Sequence, residues 1–198
     1  SYDPLLSIDF HRQFSHSIFF SPIGGFLVSL LLFIFFKKKS SFKQIYFFSF
    51  LGYFSHGILD ACTSYGTVLF WPFSDFRVGL NIISIIDPLY TGILIILFLI
   101  SILHNSILTI RIGLFFSIIL LSFNFYKYQQ VKDYVKTIAK DRGHKIERIL
   151  LNPTIGNNFL WRSVYKHKDD YFIDAIYFPL FGKSKLRRGS SVKVINKE

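Results

Sequence analysis

Methionine is absent from the 198 residues, and cysteine occurs once, at Cys62. A lone cysteine excludes an intrachain disulfide and a cysteine-based zinc cluster, and it reads as an apolar filler ahead of a reactive thiol. The absent methionine and the start at Ser1 lead to the expectation of a processed or truncated chain whose first helix lies out of view. Several mechanisms also lack their marks, since there is no GxSxG, no Walker A loop and no HExxH. A sequence pI of 9.7 would suit a nucleic-acid binder. With no zinc-finger, helix-turn-helix or RNA-binding signature, however, no nucleic-acid partner is expected. No internal repeat is visible.

What the chain does contain is apolar and aromatic. Phenylalanine occurs 25 times, aromatic residues make up 19% of the chain, and the mean hydropathy is +0.40. The uncharged runs are longer than the interior of a water-soluble domain of this size can absorb. Charge is uneven: residues 1–126 carry 7 Lys/Arg against 5 Asp, and residues 127–198 carry 16 against 7 Asp/Glu. Such a basic segment beside a bilayer is drawn to anionic lipid headgroups, which with membrane lipid itself are the expected partners.

Crossing a hydrocarbon core of about 30 Å takes about 20 helical residues. Four runs approach that length, at 18–36, 44–60, 79–103 and 107–126. The first is closed by Lys37, Lys38, Lys39 and Lys43. The third is interrupted by Asp87 ahead of Pro88, and in the fourth Arg111 stands near enough to the start to snorkel outward. After Tyr126, Tyr128, Val131, Val135 and Ile138 recur at helical spacing with lysines between them, which predicts an amphipathic connecting helix over 127–143 ended by Gly143. From residue 144 to 198, β-type runs such as "FLWRSVYKH" and "YFIDAIYF" around a "KDD" turn predict a small basic β-rich domain or tail. The fold class expected is therefore an all-α polytopic membrane helix bundle, residues 1–126, with a small C-terminal β-rich cap.

If all four runs cross, the "HRQFSHS" segment at 11–17, the His56/Asp60 end of the second run, the 61–78 loop and Asp87 fall on one face. His56 and Asp60 are spaced i, i+4 and share a helix face. His11 and His16 are spaced i, i+5 and converge if His11 precedes the helix and His16 lies in its first turn. Three histidines and a carboxylate offer the donors that a borderline divalent ion accepts, zinc being the favoured one. A histidine near a helix end is ordinarily interfacial, but ionisable groups collected inside apolar runs are costly and functional by default. Asp87 is read three ways: as a further ligand, as a partner orienting a histidine, or as a helix N-cap. Arg12 and Arg77 suit an anionic group, with interfacial anchoring as the alternative.

"HRQFSHS", "HGILDACTSYGTVLFWPFSDFR" and "IIDPLYT", in that order and spacing, resemble the bacterial membrane-bound metal-dependent hydrolase family, the YdjM-like group. "NPTIGNNFLWRSV" resembles the C-terminal segment of its longer members. The resemblance covers most of residues 3–178. It implies an inner-membrane, multi-pass protein with a divalent-metal site, to which His11, His16, His56 and Asp60 carry over as ligands and Asp87 by supposed role. Members have a further helix and an acidic Pro-Asp-type motif before the histidine motif. Asp3 and Asp9 do not replace that motif, so a missing N-terminal helix and a missing ligand are expected.

The function expected is hydrolysis of a phospholipid-type or other amphiphilic ester at the membrane surface. His11, His16, His56, Asp60 and Asp87 would carry the chemistry, and Arg12 and Arg77 would receive the anionic group. The rival is a non-enzymatic membrane protein, a metal or ion carrier or a scaffold. Lysines on both faces nearly cancel the positive-inside rule, and the balance tips to an exoplasmic site.

Overall fold

The computed structural model describes residues 13–194, in two compact units, 1–80 and 81–198. His11 and Arg12 lie outside the described residues.

The first unit opens with a single 3₁₀ turn, Phe14–His16, followed by α1, Ser21–Phe36, and α2, Phe42–Ala61. Pro22 sits in the first turn of α1, where its missing N–H costs nothing. The start of α2 is a reciprocal capping box: Ser41 accepts from the Gln44 backbone N–H, and the Gln44 side chain accepts from the Ser41 N–H. The two helices pack at glycines. A Cβ on Gly24 would stand 2.5 Å from the Tyr53 ring, and one on Gly25 would stand 2.6 Å from Phe50 Cα. The segment 62–80 is then folded back by hydrogen bonds. Thr67 and Val78 exchange backbone bonds at 2.9 and 2.8 Å, Leu80 N–H donates to Ala61 O at 2.8 Å, and Ile18 N–H donates to Leu69 O at 3.0 Å.

The second unit begins with a helical hairpin, α3, Pro88–His104, and α4, Ile107–Asp141, turned by the left-handed Asn105. At 1.5 Å per residue the 35 residues of α4 extend about 52 Å. Its first part is apolar and outward-facing, with Leu114, Phe115 and Ile118 exposed. In its second part Val131, Val135 and Ala139 form one buried stripe against Leu151, Trp161, Tyr165 and Ile176. Those partners come from an antiparallel meander of β1, Arg148–Thr154, β2, Asn157–His167, β3, Asp170–Tyr177, and β4, Lys185–Lys193. Trp161, Ser163 and Tyr165 point inward at the two-residue period of a strand with one face covered. Beneath the sheet the Arg142 guanidinium donates to Asp174 Oδ2 at 2.7 Å and to the Tyr165 hydroxyl at 2.9 Å.

The expectation of an all-α polytopic bundle is overturned. Among the described residues one helix, Ile107–Asp141, is long and apolar enough to cross a membrane, and the four-stranded sheet makes the fold mixed α and β. The physical reason is that apolar run length exceeds helix length. α1 has 16 residues and α3 has 17, roughly 24–26 Å each, short of the hydrocarbon core. Residues 79–87 are apolar but not helical, since Asn81 has φ +56° and α3 starts only at Pro88. α2 has the length but dilutes its apolar residues with Lys43, Gln44, Ser49, His56 and Asp60.

One pH effect arises here. His144 stacks on His167 at 4.7 Å and lies 3.0 Å from the Tyr165 hydroxyl through Nδ1. Its pKa is lowered from the ordinary value near 6.5, first by burial and then by the nearby His167 and Arg142 charges. A histidine that binds its proton less readily when folded favours the unfolded chain in acid. Stability from this group is therefore complete above about pH 6.5 and declines as pH falls toward the lowered value. The melting temperature of His144→Gln is expected to fall less than that of the wild type between neutral and mildly acidic pH. Equal declines would remove His144 from the account.

Candidate metal centre

The i, i+4 spacing on α2 puts His56 and Asp60 on one face, with His56 Nε2 4.0 Å from Asp60 Oδ2. His16, at the end of the 3₁₀ turn, reaches the same oxygen: its Nε2 is 3.2 Å from Asp60 Oδ2. The two imidazoles lie 5.0 Å apart, centre to centre, and are tilted by 42°. The His16 and Asp60 side chains are each 17% exposed, whereas His56 is 59% exposed. Two donors thus sit at the base of the group and one at its mouth.

Three features bring His16 to α2. Gly57 lies under the turn so closely that a Cβ would stand 2.7 Å from His16 O. Ser17 Oγ donates to Trp71 O at 2.5 Å, and Ile18 N–H donates to Leu69 O, which together clamp the turn to the 62–80 segment. Thr67 Oγ1, fully buried, reaches Gly57 O at 3.5 Å from the same segment. Ser15 Oγ lies 2.9 Å from His16 Nδ1. A hydroxyl both donates and accepts, so Ser15 holds the ring whether Nδ1 carries a proton or not, and Nε2 stays directed at Asp60.

One ligand atom from each of His16, His56 and Asp60 lies within 4.8 Å of the others. In a tetrahedral zinc site, with arms of about 2.0–2.1 Å, ligand atoms are roughly 3.3–3.4 Å apart. The 3.2 Å pair already meets that separation, and the exposed His56 has only to close from 4.0 Å. The donor set, two imidazoles and a carboxylate, fits a borderline divalent ion. Cys62 follows α2 but is buried, and burial pushes its thiol pKa up, which keeps it out of the thiolate form a metal requires.

Of the residues singled out from sequence, His16, His56 and Asp60 come together, and His11 and Arg12 lie outside the described residues. Arg77 is in the 62–80 segment of the same unit. Its Nη1 donates to Gly66 O at 3.3 Å, and its guanidinium lies 5.6 Å over the Tyr65 ring. Asp87 belongs to the second unit. There its Oδ1 accepts from Tyr90 N–H at 3.0 Å, capping α3, and its Oδ2 accepts from Asn158 at 3.0 Å. Of the three readings of Asp87, this is the helix cap. Gly57 and Thr67 are not among the residues singled out from the sequence; a glycine inside a helix between a histidine and an aspartate is the signal that could have found the first of them.

Over residues 2–131 the chain matches the family described as YdjM inner membrane protein. It belongs to that family. The match takes in the histidine segment, α1, α2, the 62–80 segment, α3 and most of α4, and the sheet lies beyond it. Membership in the YdjM inner membrane family agrees with the span-length apolar helix in α4 and supports a membrane location. No curated protein and no solved structure matches the chain.

Proposed function

We propose that this YdjM-family protein is a membrane-bound divalent-metal hydrolase acting on an amphiphilic ester of phospholipid type. The observation that carries the reading is the convergence of His16 and His56 on one carboxylate oxygen of Asp60 from segments far apart in the chain. These three residues would hold the ion, and His11 of the same heptapeptide is the proposed fourth donor. A divalent ion with an open position polarises a phosphoryl or carbonyl oxygen and makes water a nucleophile at neutral pH.

The chain's own residues divide the remaining work. Asp60 and His16, half-buried, fix the position of the charge, while Ser15 fixes the His16 ring. Exposed His56 leaves the mouth of the group open to a substrate arriving from outside the protein, which supports an enzyme over a carrier that encloses its ion. Arg77, held on the 62–80 segment, is the proposed cation for the anionic part of the ester, and its planar fork suits a phosphate.

The test is made on full-length protein in detergent, stripped with chelator and titrated with Zn²⁺. About one ion per chain and hydrolysis of a fluorogenic phospholipid in mixed micelles are expected, with both lost in His16→Ala. No stoichiometric binding, or a His56→Ala protein with unchanged binding and turnover, would end the proposal.

A further inference from the structure

Within the second unit, α4 passes from its apolar part to its charged part at Tyr126 and Lys127. Lys127 is only 2% exposed, and its Nζ has no hydrogen-bond partner and no ion pair among the described residues. Among the described residues it faces the Phe159 ring, 3.9 Å away. A ring face takes one side of an ammonium and leaves the other N–H groups unsatisfied. A charge withdrawn from water in this way is given up as a proton unless an anion replaces what the water supplied.

The space for that anion is beside it. Lys127, Tyr126 and Gln130 of α4 line a cavity of about 260 Å³ whose other wall is Phe178–Leu180, the segment after β3. Gln130 Nε2 donates to the Tyr126 hydroxyl at 2.9 Å, which leaves the tyrosine proton available to an acceptor in the cavity. The segment is tied back by Phe178 N–H donating to Phe159 O at 2.7 Å, so the same residue that faces the ammonium also anchors the cavity wall.

The rim says what kind of anion belongs there. Tyr126 and Leu180 of the cavity lining are exposed, as are their chain neighbours Phe125 and Phe181, Phe181 at 92%, and Phe125 and Tyr126 belong to the span-length helix. A free ion has no use for that apolar rim, whereas a lipid bearing a phosphate would lay its chains along it. We propose that Lys127, with Tyr126 and Gln130, is a receptor for the phosphate of an anionic lipid headgroup, and that Leu180 and Phe181 enter the bilayer beside it. The receptor is independent of the metal centre and sets how the sheet unit is seated on lipid.

The test uses full-length protein in phosphatidylcholine nanodiscs with and without phosphatidylglycerol. Wild-type protein is expected to melt higher when phosphatidylglycerol is present, and to bind it about tenfold or more tightly than Lys127→Met does. Lys127→Met keeps the chain length and removes a buried cation, so in phosphatidylcholine it is expected to melt no lower than wild type. Lys127→Arg should retain the preference. The double variant Lys183→Gln, Lys185→Gln, altered just before and at the start of β4, should lose only the salt-sensitive part of binding. Equal phosphatidylglycerol affinity in wild type and Lys127→Met overturns the proposal. So does inorganic phosphate reproducing the full shift in phosphatidylcholine discs, which would make the ligand a free anion.

Discussion

Asp60→Asn is expected to weaken Zn²⁺ binding by about 100-fold or more, or roughly 3 kcal/mol. Asp60 is the only anion of the three donors and the only one within reach of both imidazoles, at 3.2 and 4.0 Å from the same oxygen. Asparagine keeps the shape and a carbonyl acceptor, so what is removed is the charge. The fold should tolerate the change. Thr63 caps the end of α2 by donating to the Asp60 backbone carbonyl at 2.7 Å, a bond the substitution leaves in place. Calorimetric titration of full-length wild-type and Asp60→Asn protein reads the affinity, and a melting curve confirms that both are folded. Unchanged affinity in a folded variant would mean that the cluster is an ordinary interfacial group of ionisable residues, with the metal held elsewhere or not at all.

Two of the three donors are brought together by local spacing and the third is not, for a definable reason. His56 and Asp60 are bound together by helical periodicity, which is local, so their spacing alone places them on one face. His16 is brought in by long-range contacts that no periodicity encodes. These are the bond from Ile18 to Leu69 O, that from Ser17 to Trp71 O, and the close approach over Gly57. The same division holds for the fold. Alternation along β2 shows a strand because its buried side chains, Trp161, Ser163 and Tyr165, recur every second residue. Apolar content misleads where it is taken for helix length: 79–87 is as apolar as a span but is shaped by Asn81 and Pro88. Asp87 is read three ways from the sequence for a related reason. An aspartate before a proline inside an apolar run looks costly until the Tyr90 N–H and the Asn158 amide are seen to take both of its oxygens.

A methyl group at Gly57 tests the long-range approach of His16 directly. Helix propensity alone favours Gly57→Ala by up to about 1 kcal/mol. Against that, the new Cβ would stand 2.7 Å from His16 O, closer than real Cβ contacts come, and the obstacle is backbone, which cannot swing aside as a side chain can. The turn is clamped from its other side by the Ser17 and Ile18 bonds, so relief has to come from lifting it off α2, which widens the 3.2 Å gap between His16 and Asp60. The steric term wins. Gly57→Ala is expected to cost about 1–3 kcal/mol of stability and to weaken Zn²⁺ binding about 10–100-fold. Gly52 on the same helix supplies the control, because a Cβ there meets nothing within 4 Å. Gly52→Ala should stabilise the protein slightly through propensity and leave Zn²⁺ affinity unchanged. If the two alanine variants behave alike in melting and in calorimetric titration, the 3₁₀ turn does not rest on Gly57. The meeting of His16 with Asp60 would then need another support.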